Sequence, residues 1–374
     1  MPNFADIKQA LRRQDPEELR DIIPGFVREG GSYDEVLQQL FFLSATEKYD
    51  TAAPLGTICI DAVRDLMTVY EDIGADPWPL ISAALSAFCE MKLEDFNPEI
   101  VNLKPEDMSE TAFVMDFEEY VRSGNREAAL HESSKMLMLM DNPFYLVEIL
   151  IGMIASAVGD DGNGIMLGGT ILKQLDFVGS ARFKPLIWQL TDYTSRLNIE
   201  NSREYSQPES VPEFPFEGYY QTLLYSEDSV GRELALLTHA QQIWDEVRMK
   251  DREIRKLLAD ALPELLPPLS GPDESREYPA GKATFPDVVE SLESGDLAGA
   301  KAHTLGYLRH EGNPTILFKA LTEYLLKSGL HNSCEQLTRW NGFRTAIAVL
   351  RPPERYQAFL RALDFLLASG SKTR

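Results

Sequence analysis

The stretch DFEEYVRSGNREAA, residues Asp116–Ala129, decides the fold. Apolar side chains recur in its first half at helical spacing for about two turns, which predicts a short amphipathic helix. The Gly-Asn step at residues 124–125 predicts a left-handed helix end, followed at once by the N-cap of a second helix. The related stretches DIKQALRRQDPEEL and DVVESLESGDLAGA occupy residues 6–19 and 287–300. Each stretch opens with an aspartate, which we predict to be an N-cap.

The agreement continues downstream of each stretch. The second helix ends at Gly-Gly-Ser, Asp-Asn-Pro or Gly-Asn-Pro, at residues 30–32, 141–143 and 312–314. The distance between the two breaks is the same to within one residue in all three places, and further apolar helices follow. We therefore predict an all-α protein of three repeated helical-bundle units, α-solenoid-like or multi-bundle, with about five helices each. Chance similarity between amphipathic helices is the alternative.

The chain divides into three helical domains and one insert. The helical domains are predicted at residues 1–112, 113–198 and 284–374, and the insert occupies residues 199–283. Within the insert, prolines on both sides of Phe214 exclude an interior helix, so we predict an aromatic loop there. One long helix, Ser229–Leu258, and a proline-rich connector are predicted to follow.

Charge and cysteine content narrow the functional classes. The chain has 374 residues and a net charge of −23, from 36 basic and 59 acidic residues. Such a field repels nucleic-acid phosphates and anionic lipid, so we predict neither a nucleic-acid nor a membrane partner. The three cysteines are far apart and form no Cys-x-x-Cys pair, which fits a reducing compartment. Without a signal-peptide pattern at the N-terminus, we predict a cytoplasmic location.

Catalytic and metal-binding motifs are missing from the sequence. It contains no phosphate-loop, nucleophile-elbow or His-Glu-x-x-His pattern, and the glycine-rich residues 159–164 lack the ligands of a calcium loop. We predict a helix–helix loop there and no metal site, and the sequence identifies no cofactor.

The few titratable and aromatic residues near the insert are the remaining candidates. A histidine cluster of His239, His303 and His331 is the best candidate for a catalytic or ligand site. A hydrogen-bonded buried histidine is the alternative for His239, which lies in the apolar run LLTHA. Tyr219, Tyr220 and Trp244 are candidates to line a ligand cleft, and core packing explains them equally well.

The Ser-Gly-Asp/Asn-x-x-x-Ala steps and the LLTHA run carry a family resemblance. In these features the chain resembles helical regions of some bacterial proteins that carry Rieske-type iron–sulfur domains. The Cys-x-His and Cys-x-x-His pairs that bind the cluster are missing here. The resemblance therefore implies helical structure and transfers no cluster and no activity.

Three functional hypotheses follow. The first is a non-catalytic helical-repeat binding or scaffold protein with a protein partner, since repeat folds expose extended binding surfaces. The alternative is an enzyme or ligand-binding protein whose site lies between the helical units, lined by insert aromatics and histidines. A structural subunit that forms a homo-oligomer is the third.

Overall fold

The structure is a computed structural model, and it confirms the predicted all-α class. It describes residues 4–46, 48–49, 55–90, 94–95, 112–139, 142–157, 161–179, 183–197, 199, 210, 213–226, 231–270, 281–310, 312–328 and 333–370. The described residues form 18 helices and one pair of two-residue antiparallel strands, β1 (Lys48–Tyr49) and β2 (Glu94–Asp95). Their buried apolar side chains form one continuous core that extends from the first helix to the last.

Five helices occur in each of the three segments that share the sequence pattern. The first segment holds α1 (Phe4–Arg13), α2 (Pro16–Arg28), α3 (Tyr33–Thr46), α4 (Leu55–Glu71) and α5 (Trp78–Glu90). The second holds α6 (Val114–Arg122), α7 (Arg126–Leu139), α8 (Pro143–Ser156), α9 (Asn163–Val178) and α10 (Lys184–Ser195). The insert contributes α11 (Phe216–Tyr225), α12 (Gly231–Glu246) and α13 (Asp251–Leu265). The third holds α14 (Phe285–Ser294), α15 (Leu297–Arg309), α16 (Pro314–Lys327), α17 (Cys334–Val349) and α18 (Glu354–Gly370). Whether the three sets are copies of one unit stays a prediction.

The break between the first and second helix of each segment has the predicted chemistry. Asp15 caps α2 by accepting the N–H of Glu18 at 3.0 Å, and Asp296 caps α15 by accepting the N–H of Gly299 at 3.0 Å. The residue before each cap has a positive φ, at Gln14 as well as at the glycines of residues 124 and 295. In the first segment a glutamine thus occupies the left-handed position that glycine takes in the other two.

The opening aspartates of the three stretches are not N-caps, so that prediction is wrong. Asp6 and Asp116 lie inside the first turns of α1 and α6, and Asp287 is the third residue of α14. Thr284 caps α14 instead, in a capping box in which the Asp287 carboxylate accepts the Thr284 N–H. A carboxylate in the first turn still interacts favourably with the helix dipole, which explains the recurrence of aspartate there.

Two predictions for the insert are also wrong. The expected helix Ser229–Leu258 is two helices, because the chain turns between Glu246 and Asp251. The buried carboxylate of Glu148 in α8 accepts three successive backbone N–H groups of that turn, at residues 248–250, at 2.8–2.9 Å. The aromatic stretch, expected to be a loop throughout, becomes helical at Phe216, and Pro215 precedes the helix where its missing N–H costs nothing.

Four parallel helices form the centre of the molecule, and we call α4, α9, α12 and α17 the central layer. Helix α4 packs against α9 and α17, and α12 packs against the same two helices. Asp65 and Thr68 of α4 bond Asn341 and Arg344 of α17 in the same chain order, so these helices run in the same direction. The insert thus supplies one of four central helices, and each of the three segments supplies another.

Glycine permits the close approach of α12 to its neighbours. A Cβ atom on Gly342 of α17 would lie 2.8 Å from the backbone nitrogen of Ala235, and one on Gly169 of α9 would lie 3.0 Å from His239. Any larger side chain at either place would separate the helices.

Candidate functional site

A buried polar cluster joins the four helices of the central layer. Asp61 of α4 is 1% exposed, and one of its carboxylate oxygens, Oδ1, lies 3.0 Å from Lys173 Nζ of α9. The same oxygen accepts a hydrogen bond from the Gln174 side-chain amide. Its other oxygen lies 3.5 Å from His239 Nε2 of α12. His239 is among the residues predicted from the sequence and Asp61 is not, although an aspartate inside the apolar run ICIDAV is the kind of signal that marks a buried charge.

The cluster extends through a second carboxylate to α17. Lys173 Nζ lies 2.5 Å from Asp65 Oδ1, and the other oxygen of Asp65 accepts a hydrogen bond from Asn341 Nδ2 at 3.1 Å. The side-chain carbonyl of Gln174 accepts a hydrogen bond from Arg64 at 2.9 Å, which fixes the direction of that amide. The Lys173 ammonium group thus bridges the carboxylates of Asp61 and Asp65, and each carboxylate also accepts a hydrogen bond from a side-chain amide.

Charge pairing outweighs burial at both ends of this bridge. Burial alone would raise the pKa of Asp61, but the Lys173 ammonium and the His239 ring hold that pKa well below its usual range. Burial would lower the pKa of Lys173, but the carboxylates of Asp61 and Asp65 raise it. Both groups are therefore held in their charged forms at neutral pH.

The ring of His239 is oriented by its own helix. Its Nδ1 lies 2.7 Å from the carbonyl oxygen of Ala235, one turn earlier, so this nitrogen carries a proton and donates it. The opposite nitrogen faces Asp61, and donation there as well requires the doubly protonated ring. The predicted alternative for His239, a buried hydrogen-bonded histidine, describes this geometry.

The cluster is a set of paired charges that connects helices. Asp61, Lys173 and His239 are the residue types of acid–base catalysis, but each contacts another member of the cluster. Removal of one partner from a buried ion pair is costly, because the other charge is then left buried without its counter-ion. The geometry therefore supports a role in positioning α12 among the three segments.

The aromatic candidates of the insert divide between two places. Tyr219 stacks on Phe214 with 5.1 Å between ring centroids, and Phe214 and Phe216 lie 6.1 and 5.5 Å from Trp244. Tyr220 points elsewhere, with its hydroxyl 3.5 Å from Thr238 Oγ1, and burial raises its pKa to about 12. Tyr219 and Trp244 thus share one packed aromatic cluster, the arrangement expected for docking α11 onto α12.

The other two candidate histidines do not join His239 in any contact that the structure describes. His303 lies on α15, and its Nδ1 is 2.7 Å from Ser291 Oγ of α14 and 3.1 Å from the Asp287 carbonyl oxygen. His331 lies outside the described residues. The predicted histidine cluster is therefore not assembled by the described part of the chain.

A cavity of about 250 Å³ lies at the amino-terminal end of the central layer. All four helices contribute to its wall, which includes Leu55, Met166, Arg232, Thr338 and Arg339. Arg232 forms an ion pair with the Asp161 carboxylate at 3.2 Å, and Arg339 forms one with Glu335 at 2.5 Å. The arginines at the wall are thus neutralised by acidic residues of the same helix ends.

Five exposed apolar side chains lie at the open end of the α6–α7 hairpin, and we call them the methionine-rich surface. They are Phe113, Met115, Met138, Leu139 and Met249, with 48–81% of each side chain exposed. Phe113 at the start of α6 donates its N–H to Glu132 of α7 at 3.1 Å, so the first residues of α6 lie beside the middle of α7, and Met138 and Leu139 follow in its last two turns. Met249 lies beside Asn142, whose side-chain amide is 3.6 Å from the Met249 sulfur, and Asn142 follows Leu139 by three positions in the chain.

No group of three His, Cys, Asp or Glu side chains within the described ranges is arranged to hold a metal ion. In the same ranges, every helix is too short or too polar to cross a lipid bilayer. Comparisons with protein-family models, curated proteins and solved structures found no match to this chain. The resemblance to Rieske-associated helical regions therefore stays a prediction.

Proposed function

We propose that this chain is a non-catalytic binding protein, and that its methionine-rich surface takes a basic amphipathic helix of a protein partner. The observation that carries the proposal is the exposed apolar surface itself. Five of the nine large apolar side chains most exposed in the described part of the chain belong to it. Contiguous apolar side chains in solvent are typical of interaction sites.

The side chains of this surface suit a helical ligand. Met115, Met138 and Met249 are unbranched and polarisable, so they adapt to apolar side chains of differing shape. Surfaces rich in methionine are typical of proteins that bind amphipathic helices through apolar anchors at positions i, i+3, i+4 and i+7.

Charge complementarity indicates a basic partner. The sequence from Glu94 to Glu119, which leads into the surface, carries nine carboxylates and one lysine. The whole chain has a net charge of −23. A net negative charge of this size accelerates the approach of a basic segment and disfavours acidic ones.

A defined peptide tests the apolar part of this proposal. The probe is a fluorescent 18-residue helix of leucine and lysine with leucine on one face, and its control is a scrambled peptide of the same composition. The variant Met115→Gln/Leu139→Gln keeps the charge and removes two apolar side chains, and Ile316→Gln/Val349→Gln is the matched control elsewhere on the surface. We expect the first variant to raise the Kd of the amphipathic peptide about tenfold, or about 1.4 kcal/mol. Equal Kd values for the two variants, or for the two peptides, would refute the proposal.

Cross-linking in cells tests the occupant. A photoreactive phenylalanine analogue at Met249 records what lies on the surface, and the same analogue at Val349 is the control. We expect a cross-link from residue 249 to a basic, amphipathic segment of another protein. Cross-links confined to residues 91–111 or 140–141 of the same chain, or to a second copy, contradict the proposal.

A further inference from the structure

The central layer brings together two cysteines from opposite ends of the sequence. Cys59 lies on α4 and Cys334 on α17, and these helices pack against each other. The side chains are 2% and 6% exposed, neither is in a disulfide, and the two thiols form a hydrogen bond. They therefore form a dithiol that joins the first and third segments.

The contact between the two thiols is buried. The hydrogen bond with Cys334, together with burial, raises the pKa of Cys59 well above its ordinary value. The pair is therefore a buried dithiol in which either sulfur can react first.

A cavity at the end of the central layer lies one helical turn from each cysteine. Leu55, one turn before Cys59, and Thr338, one turn after Cys334, both line it. The Thr338 hydroxyl also donates to the Cys334 carbonyl oxygen at 2.9 Å, within the first turns of α17. Reagents of the size of hydrogen peroxide fit a cavity of this volume, whereas protein thiols do not.

We propose that Cys59 and Cys334 are a redox modification site that a small peroxide closes to a disulfide. One of the two cysteines, as its thiolate, attacks a peroxide oxygen, the O–O bond breaks, and the sulfur becomes a sulfenic acid while hydroxide leaves. The other cysteine then attacks that sulfur, the S–S bond forms, and the second oxygen leaves as hydroxide. Two electrons pass from the sulfurs to the peroxide, and the two thiol protons end in two molecules of water.

Peptide mapping of the whole chain tests the site. The protein is exposed to hydrogen peroxide, unfolded in an alkylating agent, and analysed by mass spectrometry. We expect a loss of about two mass units, a linked peptide that contains Cys59 and Cys334, and one alkylated cysteine, Cys89. Reduction with dithiothreitol should restore three alkylated thiols.

Two variants control the result. Cys89→Ser should form the link as the parent does, whereas Cys334→Ser should form none while circular dichroism shows it folded. Three alkylated thiols after peroxide treatment would overturn the proposal, as would a linked peptide that contains Cys89 or oxygen addition without a link. Mapping of the parent and of Cys89→Ser decides the question even where Cys334→Ser fails to fold.

Discussion

Replacing Asp61 by asparagine tests whether the buried cluster holds the central layer together. The change keeps the shape of the side chain and removes its charge. Lys173 is left with one carboxylate instead of two, and the Gln174 amide then faces another amide in place of a carboxylate. At an effective dielectric of about 20, opposite charges 3.0 Å apart, as Asp61 and Lys173 are, attract by about 5 kcal/mol, and desolvation offsets part of this. Removal of one partner from a buried pair costs about 3–5 kcal/mol. Because Asp65 remains as a counter-ion, we expect Asp61→Asn to lower the free energy of unfolding by about 3 kcal/mol.

Urea unfolding followed by circular dichroism measures this loss, and the chain offers a matched control. Asp260→Asn removes the partner of Lys256 in an exposed pair on α13, where about 0.5 kcal/mol is expected. The double variant Asp61→Asn/Lys173→Met should lose less free energy of unfolding than the two single variants lose together. In the Asp61→Asn background the lysine has already lost one of its two partners. A loss for Asp61→Asn no larger than for Asp260→Asn would refute the reasoning.

Three further predictions concern packing, capping and pH. Gly342→Ala should destabilise the protein by about 2 kcal/mol in thermal unfolding, because its Cβ would meet the α12 backbone at 2.8 Å, whereas Gly152→Ala, whose nearest neighbour is at 3.9 Å, should not. Glu148→Gln should cost about 2 kcal/mol and make the turn between α12 and α13 a new site of limited proteolysis, since its carboxylate accepts three backbone N–H groups of that turn; unchanged cleavage would contradict this. The folded state lowers the pKa of Asp61, so this carboxylate stabilises the fold fully above its unfolded pKa of about 4. That stabilisation is lost as pH falls through the folded pKa. The contribution of Lys173, with its raised folded pKa, is present below about 10.4 and lost as pH rises through the folded pKa, so Asp61→Asn should flatten both ends of a stability profile from pH 2 to 12.

Local chemistry explains which parts of the fold could be predicted. The breaks at residues 14–15, 124–125 and 295–296 depend on adjacent residues, and sequence patterns indicate them correctly. The turn at residues 247–250 depends on Glu148, about 100 positions earlier in the chain, and helical periodicity carries no information about such a partner. Helical periodicity therefore predicts the all-α class, but it does not predict a turn inside a periodic stretch.

The candidate site shows the same division. His239 could be singled out because histidine is scarce in this chain, with five in 374 residues. Lys173 and Asn341 occupy ordinary helical positions and gain their roles only when α9 and α17 meet α4. The cysteine pair joins residues of the first and last segments, so no spacing rule could predict it. For Asp61, its position inside an apolar run was the signal that the sequence offered.

The position of α17 in the central layer has a consequence for the order in which the chain folds during synthesis. Asp65 bonds Asn341 across 276 positions, so the surface of α4 that contacts α17 stays uncovered until residue 341 has left the ribosome. Long-range closure of this kind slows folding and prolongs the exposure of apolar helix faces. A nascent chain that stops before residue 334 therefore presents α4 and α12 with one side uncovered. We expect such truncated chains to associate with chaperones and the full-length protein to be released from them.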